Sequence, residues 1–182
     1  MSKWYAKNDY LTQKEMEWNA KNVTVLMAMA GMSGEAIAAL LANMQAESGI
    51  TPGVWENHDP FVGGYGLVQW TPYTKYSEWW GSGWENNGDA EIKRIIYEFK
   101  NGLQWISTSD YPETFKEFWS SRDNPRYLAQ VFVWNYERPE DTDQSKRSDY
   151  AEYWYENLTK GAINLWFIIN RQHRWWEKNG GK

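Results

Sequence analysis

The segment SGEAIAALLANMQAESG, residues 33–49, decides how this chain is read. Ile37, Leu40, Leu41 and Met44 recur at the i, i+3, i+4, i+7 spacing of one helical face. Ser33 suits the N-cap, because its hydroxyl can accept a hydrogen bond from a free amide of the first turn. Gly49 supplies the left-handed residue that closes many helices. Near the end of this predicted helix stands Glu47, three positions after Met44 and so on or beside the apolar face. The negative end of the helix dipole disfavours a carboxylate there. Apolar neighbours disfavour it too. Both effects raise the pKa, and a carboxyl group that keeps its proton near neutral pH is suited to general-acid work.

Outward from this helix the pattern stays mainly helical. Upstream, Thr12 and Glu15 form a capping box that opens a helix carrying Met16, Val23, Leu26 and Met27 and ending near Gly31. Downstream, residues 50–90 lose helical periodicity. Gly63, Gly64 and Gly66 flank the short apolar run from Tyr65 to Trp70, which Pro72 stops, so a small hairpin or loop-rich lobe is expected. A short helix is expected over 74–80. Helices then resume, with Asp89 as cap for Ile92, Ile95, Ile96 and Phe99, a segment over 112–119, and Asn124 capping a helix with Pro125 at its first position. A polar loop over 137–146 precedes a last helix, starting at Ser148, with Ala151, Trp154, Tyr155 and Leu158. The fold class expected is α+β, mainly helical, with a small β/loop lobe.

Composition narrows the function. The 182 residues include no cysteine, which excludes a disulfide scaffold, a thiol nucleophile and zinc sites that need sulfur. The two histidines, His58 and His173, lie far apart, so no multi-histidine metal site is expected. A chain of this size buries about 70% of its unfolded surface, enough for a self-standing core. The net charge of −5 argues against a nucleic-acid partner. No apolar run is long enough for a membrane span, and the N-terminal residues show no apolar signal stretch. The 14 Trp, 12 Tyr and 6 Phe accompany a mean hydropathy of −0.80, so some rings are expected at the surface, where they suit sugar and interface contacts. Residues 161–182 form a separate basic aromatic tail after a domain over 1–160. Arg171, Arg174, Lys178 and Lys182 stand there against Glu177, among Trp166, Phe167, Trp175 and Trp176. A packed helix, a linker and a segment lying on an anionic surface are the three readings of that tail.

Four motifs stand in order: NMQAES over 43–48, GYGLVQWTP over 64–72, YERP over 136–139 and AEYWYENL over 151–158. Together they resemble the phage tail lysozyme family of the lysozyme superfamily, with a broader similarity to goose-type lysozymes and lytic transglycosylases. The resemblance covers about residues 8–160. It implies a lysozyme-like two-lobed fold with a glycan cleft between the helical body and the small lobe. It places Glu47 on the family's acid and Gln69 on the motif glutamine that lines the cleft. It also implies a peptidoglycan hydrolase that cuts the glycan strand between N-acetylmuramic acid and N-acetylglucosamine, carried on the phage tail or released to the wall, needing no cofactor. Peptidoglycan strands, and other phage tail proteins, are the partners it implies. A lytic transglycosylase using the same acid is one alternative. A virion or wall-binding module that has lost catalysis is another.

Such chemistry calls for a second group facing the oxocarbenium-like centre, usually a carboxylate. Asp59 is the first candidate and Glu56 the second, both just beyond the acid. The Gln69 amide suits N-acetyl and hydroxyl groups. Tyr65, Trp70 and Trp55 are candidates to stack on sugar faces, and Tyr136 to hydrogen-bond near the acid. Glu137 joins them as a further carboxylate near the site, although pairing with Arg138 is its simpler explanation.

Overall fold

The computed structural model describes residues 3–159. The tail over 161–182, with its three readings, lies outside the described residues. Helix α1 (Gln13–Met29) opens with the expected capping box, Thr12 and Glu15 each accepting from the other's backbone. Helix α2 (Gly34–Ser48) starts at Ser33, whose side chain accepts from the Ala36 amide, and ends at Gly49 with φ 61°. Every residue from Ala36 to Met44 is buried, so α2 is the central helix and not an amphipathic one. The apolar stripe at 37, 40, 41 and 44 is only part of its buried surface, because alanines fill the remaining faces and let neighbours approach. It packs most extensively on α6 (Pro125–Phe132) and also touches α1 and α5 (Phe115–Ser120).

Helix α3 (Thr74–Trp80) lies where expected. Helix α4 (Gly88–Asn101) is capped by Asn87, which accepts from Ala90, and not by Asp89. Asp89 instead sits in the first turn and accepts from the Trp4 indole at 2.9 Å. A capping box of Thr114 and Glu117 starts α5, two residues later than the expected Pro112. After α6 the chain widens into a single π-turn, Val133–Glu137, closed by Arg138 at φ 55°. Helix α7, over 145–159 as far as the structure describes it, begins before Ser148, where Asp143 accepts from the Ser145 amide. No helix among the described residues is long and apolar enough to cross a membrane.

The expected β lobe is not formed: among the described residues there is no strand. Residues 50–73 hold two isolated bridges, Trp55 with Tyr65 and Tyr65 with Trp70, and a 3₁₀ turn at Glu56–His58. Positive φ at Ile50, Asn57, His58, Phe61, Gly63, Gly66 and Gln69 turns the chain every few residues, so no run is straight enough for a ladder. Aromatic packing substitutes for it. Trp55 meets Tyr65, Tyr73 and Trp84 edge-on at 4.6–5.9 Å, and Trp70 stacks on Tyr76 at 5.0 Å.

Two buried acids on α4 fasten this lobe. Glu91 Oε2 accepts from the Leu67 amide at 2.7 Å, and a Cβ on Gly66 would lie 2.5 Å from that oxygen. Glycine is therefore required there both for φ +80° and for space. Burial holds the Glu91 carboxyl well above the usual carboxylate range, against the opposing pull of the Leu67 N–H. Its Oε1 has no partner. Because its folded pKa exceeds the unfolded one, its contribution to stability is whole at low pH and is lost as pH rises toward the folded value. Glu91→Gln should therefore flatten the fall of stability as pH rises above about 5, the range in which an unfolded glutamate is ionised. The difference in slope should reach about 1.4 kcal/mol per pH unit where only the unfolded chain ionises. Urea unfolding across that range reads it, and parallel slopes would refute a neutral Glu91.

Candidate active site

A cleft of about 780 Å³ opens between the end of α2, the turn-rich lobe and the π-turn. Glu47, Gln69 and Glu137 all line it. Glu47 occupies the last turn of α2 with its side chain 19% exposed. Its neighbour is not the apolar surface expected from periodicity. Arg147, from α7, donates from Nη2 to Glu47 Oε1 at 2.6 Å and is itself 8% exposed. The guanidinium is fixed by Asn43 Oδ1 at 2.9 Å and Gln144 Oε1 at 2.6 Å. Asn43 in turn donates to the carbonyls of Ala39 and Ala129. Helices α2, α6 and α7 are thereby joined through one polar path that ends on Glu47.

Glu137 is delivered by the π-turn, where one extra residue per turn changes which side chains face the cleft. It does not pair with Arg138, whose Nη1 donates to the carbonyls of Gln104 and Asn135, each at 2.7 Å. Glu137 Oε1 is shielded from solvent and has no hydrogen-bond partner. Burial first, and then the Glu47 charge, push its carboxyl well above the usual range, while the Arg147 guanidinium opposes the shift. Two carboxyl groups that line the cleft thus lie near one guanidinium.

The other candidates divide. Gln69 Nε2 donates to Gly66 O at 2.9 Å and Val54 O at 3.3 Å, leaving Oε1 as the group available to a ligand. Trp55 and Trp70 line the cleft but are 6% and 3% exposed, so they form its wall more than a free stacking surface. Tyr65 is buried away from the lining and accepts from the Asn86 amide at 2.7 Å. Tyr136 lines the cleft, yet its hydroxyl donates to Glu98 and not to Glu47. Asp59 is exposed and absent from the lining, whereas Glu56 lines it and accepts from the Gly64 amide at 2.8 Å.

Sequence reasoning missed Arg147 and Glu98. Arg147 falls between what reads as a polar loop over 137–146 and a helix starting at Ser148, and carries no periodic signal; Glu98 reads as one more charge on α4. Removing Arg147 leaves a part-buried carboxylate without its cation. Arg147→Met should cost about 3 kcal/mol, the low end for a broken buried pair because Glu47 keeps some solvent contact. The double variant Arg147→Met/Glu47→Gln should be destabilised by less than the sum of the single changes. Additive changes in urea-unfolding free energy would show that the pair contributes nothing.

The sequence profile described as phage tail lysozyme matches residues 17–158. Morphogenesis protein 1 of Bacillus phage B103 is 42% identical over 171 residues, which is 89% of this chain and 45% of that protein. The chain thus spans less than half the length of this relative.

Proposed function

The chain belongs to the phage tail lysozyme family, and from that premise we propose that it hydrolyses the glycan strand of peptidoglycan between N-acetylmuramic acid and N-acetylglucosamine, with Glu47 as proton donor. The observation that carries this reading is the convergence of Glu47 and the shielded Glu137 on one strand-sized cleft beside Arg147.

Hydrolysis needs a proton on the leaving oxygen as the C–O bond breaks, and negative charge or a water activator facing the oxocarbenium-like centre. In the free protein Glu47 accepts from Arg147 Nη2 through Oε1. Glu137, whose carboxyl burial and the Glu47 charge hold above the usual range, is the second acid of the site. A sugar entering the cleft displaces water, and protonated Glu47 passes its proton to the glycosidic oxygen as the C–O bond breaks. Glu56 takes the role first given to Asp59, because it is the one of the two that lines the cleft. Gln69 Oε1 accepts from the acetamido N–H. The name of the B103 relative, a morphogenesis protein, supports placing the domain on the virion.

Product analysis tests the reaction. Purified peptidoglycan digested in heavy-oxygen water should yield reducing muramic ends that carry one heavy oxygen. Anhydro-muramyl ends would make the protein a transglycosylase, and intact strands would make it a binding module.

A further inference from the structure

On the other side of the π-turn lies a second, open groove of about 620 Å³ that shares no lining residue with the cleft. Its two walls are pinned before any ligand arrives. Asn135 holds one, donating from Nδ2 to Tyr111 O at 2.9 Å and accepting from the Thr108 amide at 3.2 Å. Gln130 holds the other, with Nε2 donating to Gln144 O at 2.9 Å and Ser148 Oγ at 3.0 Å. Trp134, half-buried, lines the groove between them.

Trp134 is unlike the other tryptophans of the described residues. The indole N–H groups of Trp4, Trp18, Trp70, Trp105 and Trp154 donate to protein acceptors. The rings of Trp55, Trp79, Trp80, Trp84 and Trp119 pack against other rings. Among the described residues Trp134 does neither, and it is outside the set of side chains packed on the core. A large ring with an unused N–H, set in a concave surface whose walls are already ordered, has its apolar face and its donor free for a ligand.

The rest of the lining states which ligand. It offers hydroxyls, amides and two carboxylates, Asp110 and Asp143, and no lysine or arginine. Hydrogen bonds from Ser145 hold the Asp143 carboxyl below the usual range, so it is ionised at neutral pH. Phosphate-bearing polymers are disfavoured by this charge, whereas a neutral sugar matches it, with C–H faces for the indole and hydroxyls for the acceptors.

We propose that this groove is a second carbohydrate site, separate from the cleft, that grips a neutral N-acetylated sugar with Trp134 as its stacking platform. The choice of an N-acetylated sugar rests on the glycan reading above. The two sites are mechanically adjacent: Trp134 and Glu137 share one turn, and Gln144 of the groove hydrogen-bonds to the Arg147 that holds Glu47. A strand held at the groove would therefore stay close to the cleft after each cut.

The test uses the full chain carrying Glu47→Gln, labelled with nitrogen-15 at tryptophan, and chitotetraose as probe. The Trp134 indole signal is identified by its disappearance in Trp134→Phe, with the other indole signals unmoved as the check on folding. It should shift saturably with chitotetraose, and Trp134→Ala should weaken retention of the chain on purified walls by about tenfold, the loss of one ring contact. A Trp134 signal that stays fixed at millimolar chitotetraose, or that moves with a wall stem peptide and not with the sugar, overturns the proposal. Failure of the cleft reading would show elsewhere, as undiminished wall digestion by the Glu47→Gln chain.

Discussion

Glu47→Gln is expected to abolish the clearing of peptidoglycan suspensions, lowering the rate by about 10²–10⁴-fold, the range for loss of a positioned general acid. The substitution keeps the size of the side chain and an Oε1 that can still accept from Arg147 Nη2. What it removes is the charge and the proton. Arg147 keeps Asn43 and Gln144 as acceptors, so the loss of stability should be about 1–2 kcal/mol and the protein should remain folded in the assay. Retention on purified walls should persist. One further consequence separates catalysis from mere positioning. The Glu47 charge helps to hold Glu137 above the usual carboxylate range, so neutralising position 47 should lower the Glu137 pKa. Carbon-13 NMR of the glutamate carboxyls reads that shift. Equal clearing by wild type and variant would end the acid role of Glu47; a stationary Glu137 titration would end the idea of a coupled pair.

Glu98→Ala carries the second largest expected effect. Glu98 is 1% exposed and holds three donors: Trp70 Nε1 at 3.0 Å, Arg94 Nε at 2.8 Å and the Tyr136 hydroxyl. Trp70 and Tyr136 both line the cleft, one from the turn-rich lobe and one from the π-turn. Removing the carboxylate leaves a largely buried guanidinium and two buried donors unsatisfied, which should cost about 3–5 kcal/mol. For a domain of this size that is a fall of roughly 10 °C in Tm. Because Glu98 also sets the spacing of the cleft walls, activity measured well below Tm should fall as well. Glu98→Gln, which keeps an acceptor, should lie between the two. A calorimetric Tm equal to wild type for Glu98→Ala would show that the aromatic cluster alone fastens the lobe.

Local signals made the helices readable. Ser33 and Gly49 bracket α2, Thr12 with Glu15 opens α1, and Asn124 with Pro125 opens α6, because capping is a contest decided within one turn of chain. The last helix starts before Ser148 for the same kind of reason: Ser145 and Asp143, three and five residues earlier, offer a cap of equal chemistry. The lobe over 50–73 was harder, since alternating apolar residues look alike whether they pair as strands or collapse as rings. The repeated positive φ values that decide the matter fall partly on non-glycine residues such as Ile50, Phe61 and Gln69.

Glu47 was visible in the sequence because its place follows from helix length and cap alone. Its environment was not. Periodicity assigns it apolar company, yet Arg147, 100 positions later in the chain and 2.6 Å away in space, faces it instead. The same holds for Glu137, which reads as a carboxylate near the site more simply paired with Arg138 until the π-turn sets it in the cleft, and for Glu98, whose three donors come from three segments. Sequence by itself determined most of the helices, the caps of α1, α2 and α6 and the place of Glu47, since these depend on interactions a few residues apart. Tertiary structure alone decided the charge around that acid, because an electrostatic environment is the sum over whatever the fold brings within a few ångströms, and chain separation places no limit on that sum.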